Sequence, residues 1–264
     1  MGSVAFSVNG SVASVTLSHP GKLNAMSRSM WRELRRVFEA IQQDAAIRCV
    51  LLRGEGGHFC AGGDISEYAD FRFKEASLRD FHENDVWGGL QAMLNCDVPL
   101  IASIDGNCMG AGLEMASCCD LRLATSTARF GAPIARLGFP MAPREAALVA
   151  RAVGELTARE MLLTAAVLDA AEMKQRGFLN HICAPTELAG VVQDFCERIG
   201  SLAPAAARQN KQFFRSNQPL ARDFQSGSAS ELIANSSADA YRYADSAEHR
   251  EGVMAFIGKR APVF

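Results

Sequence analysis

The residues best suited to chemistry in this 264-residue chain lie in two stretches, His58-Phe59-Cys60-Ala61-Gly62-Gly63-Asp64-Ile65 and Asn107-Cys108-Met109-Gly110-Ala111-Gly112-Leu113-Glu114. In both, Gly and Ala leave the main chain bare enough for a ligand atom to approach its N–H groups. The second stretch opens a helix, whose first N–H groups lack internal acceptors and carry the positive end of the helix dipole. Two such loops converging on one oxygen would stabilise a developing anion. Either cluster alone is explained by a tight strand-to-helix turn; the pair, in this order, points to chemistry. Glu114 stands four residues after Gly110, between Leu113 and Met115. Apolar neighbours there would raise its pKa toward the range of a working general base. The alternative reading is a solvated carboxylate that favours the helix N-terminus.

Other chemistries find less support. There is no GxxxxGK[ST] phosphate loop, and Gly110-Ala111-Gly112 runs into Leu-Glu rather than completing GxGxxG. The 27 basic and 29 acidic residues are well mixed, for a net charge of −2, so no broad cationic field recruits nucleic acid or anionic membrane. The eight cysteines (49, 60, 96, 108, 118, 119, 183 and 196) form no CxxC pair and have no His at ligand spacing, so they read as reduced core residues with no metal site. No motif pairs a Ser or Cys nucleophile with a base, and His181 reads as a packed or interface histidine. The start of the chain lacks a targeting pattern, and no segment reaches the roughly 18 apolar residues that span a bilayer. A soluble, cytoplasmic protein is expected.

The two loops must be positioned by their flanking elements. Residues 4–8 and 12–17 alternate around Asn9-Gly10, a strong hairpin signal. Ser27 caps an amphipathic helix carrying Met30, Leu34, Val37, Phe38 and Ile41 at helical spacing. The compact apolar runs 49–52 and 100–104 predict strands buried on both faces. Strands alternate with helices through the first two-thirds, giving an α/β reading. From Arg144 the pattern predicts helices over 146–152, 158–163, 170–176, 188–199 and 205–214, then a closing pair from about 224 to 257. A core over 1–200 and a helical tail over 201–264 follow, with the tail part of the same unit. The 48% apolar composition suffices for one large core.

At these residues the chain resembles the crotonase, or enoyl-CoA hydratase/isomerase, superfamily over nearly its whole length. The resemblance rests on Pro20-Gly21-Lys22-Leu23-Asn24-Ala25-Met26, on Phe59 through Asp64, and on Asp105-Gly106 through Glu114 to Asp120. Phe130-Gly131, Arg151-Ala152-Val153-Gly154 and Glu251-Gly252 through Phe264 continue it. It implies a spiral of ββα units, a helical C-terminal trimerisation region, and homotrimers or dimers of trimers. It implies an acyl-CoA thioester substrate, with coenzyme A part of the substrate and no separate cofactor. By the same resemblance, Gly63 and Ala111 supply the oxyanion-hole N–H groups. Lys22, Leu23 and Ala61 lie along the coenzyme, beside Gly62, Asp64, Ile65 and Gly110, and Phe256 and Lys259 reach a coenzyme on a neighbouring subunit.

One departure bears on the reaction. Hydratases of this family use two glutamates, one after the second loop and one about twenty residues on; here the first is Glu114 and the second position falls on Ile134. Isoleucine neither donates nor accepts a proton. Glu67, His82, Glu83 and Glu145 are candidates to replace it, although a surface position is the ordinary reading for each. The resulting expectation is a single-glutamate enoyl-CoA hydratase, with an isomerase, another acyl-CoA lyase, decarboxylase or hydrolase, or a non-catalytic acyl-CoA binder as alternatives. The segment 68–94 should wall the acyl pocket.

Overall fold

The alternation around Asn9-Gly10 does produce a hairpin. In the computed structural model, which describes residues 1–216 and 242–264, β1 (Ser3–Asn9) pairs antiparallel with β2 (Val12–Ser18). Ala13, Val15 and Leu17 are fully buried while their β2 neighbours are half-buried, the two-residue period of a strand with one face on the core. α1 (Arg28–Gln43) follows, with the Ser27 hydroxyl accepting from the Met30 N–H at 3.3 Å. Met30, Trp31, Leu34, Phe38 and Ile41 form its buried stripe, and burying each side chain is worth about 2 kcal/mol. Val37 is packed at the margin of that core rather than inside it.

Two sheets share the remaining strands. β3 (Cys49–Gly54), β4 (Leu100–Ile104), β6 (Leu121–Thr125) and β9 (His181–Cys183) extend the hairpin into a six-stranded sheet ordered β1-β2-β3-β4-β6-β9, parallel from β2 onward. β5 (Asn107–Met109), β7 (Arg129–Gly131) and β8 (Val167–Asp169) make a smaller sheet. The chain runs β4, β5, α5 (Ala111–Cys118), then β6, β7, a 3₁₀ turn (Pro133–Leu137) and α6 (Pro143–Val153). Each pass gives one strand to either sheet before its helix, which is the spiral of ββα units. Parallel strands buried on both faces account for the continuous apolar runs in β3 and β4. All eight cysteines are buried and none is disulfide-bonded.

The segment between the first loop and β4 is built from short pieces: α2 (Tyr68–Phe71), α3 (Glu75–Asp80), a π-helical turn (Phe81–Val86) and α4 (Trp87–Asn95). The Trp87 N–H bonds back to the His82 carbonyl, five residues earlier. Buried Asp85 ties this turn to α1 through Arg28 and Arg32, the latter at 2.7 Å.

α6 begins three residues before the expected start, because Pro143 occupies a first-turn position where a missing N–H costs nothing. α7 (Glu155–Thr164), α8 (Ala170–Gln175), α9 (Leu188–Gly200) and α10 (Pro204–Ser216) occupy the expected regions. Of the expected closing pair, the helix Ala247–Ile257 is present and the part from 224 to 241 lies outside the described residues. The tail rests on the core: Arg208 donates to the Ile47 carbonyl at 3.0 Å, and Lys211 pairs with Asp120 at 2.7 Å. Arg215 pairs with Asp97 at 2.8 Å. Among the described residues no helix is long and apolar enough to cross a membrane.

Candidate active site

The two small-residue loops lie beside one cavity of about 340 Å³, and each presents an N–H that finds no acceptor among the described residues. In the first loop, Met26 donates to the Gly62 carbonyl and Asp64 donates back to the Met26 carbonyl, both at 2.8 Å. That parallel bridge uses the peptides either side of Gly63, so the Gly63 N–H faces away from Met26 and takes no acceptor among the described residues. A Cβ at Gly63 would collide with the Tyr68 hydroxyl. In the second loop, the Gly110 N–H bonds to the Gly131 carbonyl and Glu114 N–H bonds to the Gly110 carbonyl, each at 2.9 Å, leaving the Ala111 N–H unclaimed. Gly110 makes this turn at φ 46°, a left-handed value that side chains resist. Gly63 and Ala111 both line the cavity.

Glu114 lines the same cavity from the first turns of α5, is 9% exposed, and takes no side-chain hydrogen bond among the described residues. Burial pushes its carboxyl up to about 8, and the nearby Glu145 carboxylate adds to the shift. The helix N-terminus favours an anion here, yet desolvation prevails. The apolar neighbours Leu113 and Met115 are fully buried.

Of the other residues singled out in the sequence, Ala61, Gly62, Ile65, Gly110 and Ile134 line the cavity. Asp64 does not: it is buried, accepts from the Ser66 N–H at 3.1 Å and from Lys22 at 2.6 Å, and caps a 3₁₀ turn (Ile65–Glu67). Burial opposes ionisation of Asp64, but the bonds from Lys22 and Ser66 prevail and hold its carboxyl below the usual range. Lys22 is thus engaged in an ion pair, Leu23 is 46% exposed at φ 48°, and neither lines the cavity. Phe256 is 86% exposed on the closing helix and Lys259 follows it, both outside the cavity of this chain.

The four candidates to replace the missing carboxylate separate clearly. Glu67 accepts from the Arg28 N–H at 2.9 Å and so caps α1. Glu83 is half exposed and pairs with Arg144 at 3.0 Å. Glu145, expected at the surface, is buried at 3% exposure on the first turn of α6, and its Oε1 lies 3.0 Å from His82 Nδ1. His82 lines the cavity with its side chain 24% exposed. The remaining wall includes Trp31, Tyr68, Arg72, Phe81, Val86, Phe139 and Met141. Arg72 stacks on Tyr68 and Phe139, 4.4 and 3.7 Å from their ring centres. These wall residues carry no sequence motif, but Tyr68, Arg72, Phe81 and Val86 fall in the segment 68–94 expected to wall the pocket.

The chain is similar to known proteins along nearly its whole length. Residues 7–264 match the family model described as enoyl-CoA hydratase/isomerase. A short-chain-enoyl-CoA hydratase of Clostridium acetobutylicum is 32% identical over 253 residues, 95% of this chain and 93% of that protein. A probable enoyl-CoA hydratase of Rhizobium meliloti is 32% identical over 255 residues, covering 97% and 95%. The crystal structure of an enoyl-CoA hydratase/carnithine racemase from Magnetospirillum magneticum superimposes with a TM-score of 0.90 at 34% identity, covering 100% of this chain and 96% of that one. The chain belongs to the crotonase, or enoyl-CoA hydratase/isomerase, family.

Proposed function

We propose that this protein is an enoyl-CoA hydratase in which the N–H groups of Gly63 and Ala111 hold the thioester oxygen and Glu114 exchanges a proton with the α-carbon. The observation that carries this reading is the meeting, on one cavity wall, of two unclaimed N–H groups and a buried carboxyl raised to about 8. Adding water across a 2-enoyl thioester puts negative charge on the carbonyl oxygen. Donors already oriented toward that oxygen lower the barrier, and losing one costs about 10² to 10³ in rate. A carboxyl that is protonated at neutral pH is suited to deliver a proton to C2, and to remove it in the reverse reaction. The names of relatives in Clostridium acetobutylicum and Rhizobium meliloti support the same reaction.

In this reading coenzyme A is part of the substrate and no separate cofactor, nucleic acid or membrane takes part. The protein works as a cytoplasmic homotrimer or dimer of trimers. The apolar wall of Trp31, Phe81, Val86 and Met141 receives the acyl chain. A second reading, double-bond isomerisation, is favoured by Ile134, since a proton shuttle needs one base near both carbons and no water-activating partner.

The test is loss of the conjugated enoyl-thioester absorbance with crotonyl-CoA and longer or aromatic 2-enoyl-CoAs, with Glu114→Gln as control. Hydratase activity lost by at least 10²-fold in Glu114→Gln, with thioester binding retained, is the expected result. Turnover retained in that variant removes Glu114 from the chemistry, and movement of a 3-enoyl double bond without hydration establishes the isomerase.

A further inference from the structure

Syn hydration needs two proton-handling groups, one to take a proton from water and one to give a proton to C2. In this chain Glu114 fills one role and the family's second position is Ile134, so the partner must come from elsewhere on the cavity wall. Among the candidates weighed from the sequence, only His82 and Glu114 line the cavity. His82 stands on the π-helical turn Phe81–Val86, and this turn is clamped on both sides. Behind it, buried Asp85 holds Arg28 and Arg32; in front, Arg144 bridges to Glu83 at 3.0 Å and stacks 5.5 Å from the Trp87 ring centre. The imidazole also packs edge-on against Phe81, 5.1 Å between ring centres.

The hydrogen bonding of His82 is specific. Nδ1 lies 3.0 Å from Oε1 of Glu145, a carboxylate 3% exposed with no other side-chain partner among the described residues. With the Glu145 oxygen as the acceptor of this bond, Nδ1 is the donor and Nε2 keeps its lone pair. Nε2 has no partner among the described residues, on a ring that faces the cavity. A carboxylate orienting a histidine whose other nitrogen is open is the arrangement of a general base with its positioning residue.

We infer that His82, oriented by Glu145, is the water-activating base that replaces the missing second carboxylate of this site. This rests on the proposed hydratase reading and assigns the half of the reaction that Glu114 does not cover. In the hydration direction, the water oxygen bonds to C3 as one water proton passes to His82 Nε2. The C2=C3 electron pair moves into the thioester as an enolate, whose oxygen is held by the Gly63 and Ala111 N–H groups. The enolate then collapses as C2 takes the proton of the Glu114 carboxyl. The sum adds H and OH across the double bond. The proton left on His82 returns to Glu114 through solvent, restoring both groups. Glu145 takes no proton from the substrate and acts only by fixing the ring.

The test uses the full-length protein with His82→Ala, His82→Gln and Glu145→Gln. Three readouts are compared: hydration of whichever enoyl-CoA the wild type turns over, thioester binding, and exchange of the C2 proton of bound butyryl-CoA in D₂O. The expected result is a fall in kcat of about 10²-fold or more for both His82 variants, with binding and C2–H exchange kept because those need only Glu114 and the two N–H groups. Added imidazole should restore part of the rate to His82→Ala and none to His82→Gln. Glu145→Gln preserves side-chain volume and should lower kcat by about tenfold with little change in KM, since the ring is still held but by a neutral acceptor.

Hydration within about twofold of wild type in His82→Gln overturns the inference while leaving a Glu114-dependent hydratase standing. Loss of hydration, exchange and binding together in both His82 variants makes the histidine a structural residue and also overturns it. A wild type that hydrates no enoyl-CoA removes the hydratase reading and, with it, this assignment.

Discussion

At Glu114 the proposed function and stability pull in opposite directions. Its carboxyl, raised to about 8 by burial and then by Glu145, holds its proton in the folded state where the unfolded chain, at the ordinary value of 4.5, has lost it. Between those two values the folded state binds more protons, so stability is greatest below about 4.5 and is lost as pH rises toward 8. At pH 7 the loss is on the order of 3 kcal/mol. Glu114→Gln, which cannot ionise, should therefore melt close to wild type at pH 4 and progressively above it up to pH 8, while losing activity. Thermal melts across that range check this; a constant difference would mean the carboxyl titrates normally. Gly63 supports a second prediction. Because a Cβ there meets the Tyr68 hydroxyl, Gly63→Ala should cost about tenfold or more in kcat/KM by shifting the loop N–H. Adding Tyr68→Phe should recover part of it. Strictly additive losses in the double-mutant cycle would show that the hydroxyl is not what the new methyl displaces.

Elements differ in how far the sequence foretold them, for physical reasons. The hairpin, α1, β3 and β4 were legible because each obeys one local rule: alternation about Asn-Gly, a capped apolar stripe, or a continuous run buried on two faces. The two loops were legible because only Gly and Ala tolerate their close approaches and turns, and Glu114 because it follows one of them. The pocket wall was legible as a stretch, 68–94, which supplies Tyr68, Arg72, Phe81, His82 and Val86, but not residue by residue. Tyr68, Phe81 and Val86 look like any helical core residues, and the contact of His82 with Glu145 spans 63 positions, a separation no local pattern encodes. Glu145 reads as a surface residue in the sequence because a charged side chain near a helix start is ordinarily solvated; in the fold it is buried, with His82 of the π-helical turn against it. That turn depends on Asp85, 3% exposed and bound by Arg28 and Arg32. Both arginines keep some contact with water, so Asp85→Ala should cost about 2 kcal/mol rather than the full price of a buried pair. Urea titration measures the loss. If the turn positions His82, the variant's kcat should also fall further than its KM changes; an unchanged kcat with the expected destabilisation would separate the clamp from the chemistry.

Across the whole molecule, the apolar residues left outside are concentrated toward the C-terminus. Phe214 is 65% exposed on α10, and Met254, Phe256 and Ile257 on the closing helix are 54%, 86% and 66% exposed. Isolated exposed apolar side chains are ordinary, but several on one short helix mark a surface that meets another protein. The core cannot reclaim them, because that helix already turns Ala255, its one buried residue, inward. This uneven surface is where the proposed homotrimer or dimer of trimers would bring in a neighbour, and on that proposal Phe256 and Lys259, outside the cavity of their own chain, would reach the neighbour's coenzyme. Phe256→Asp places a charge in the middle of the exposed face. It should lower the mass measured by sedimentation from a threefold or sixfold multiple toward that of a single chain, while leaving the monomer's circular dichroism unchanged. If the mass stays high but the KM for the acyl-CoA rises, Phe256 contacts the coenzyme without holding subunits together. If neither changes, the association surface lies elsewhere and the exposed helix does not form it.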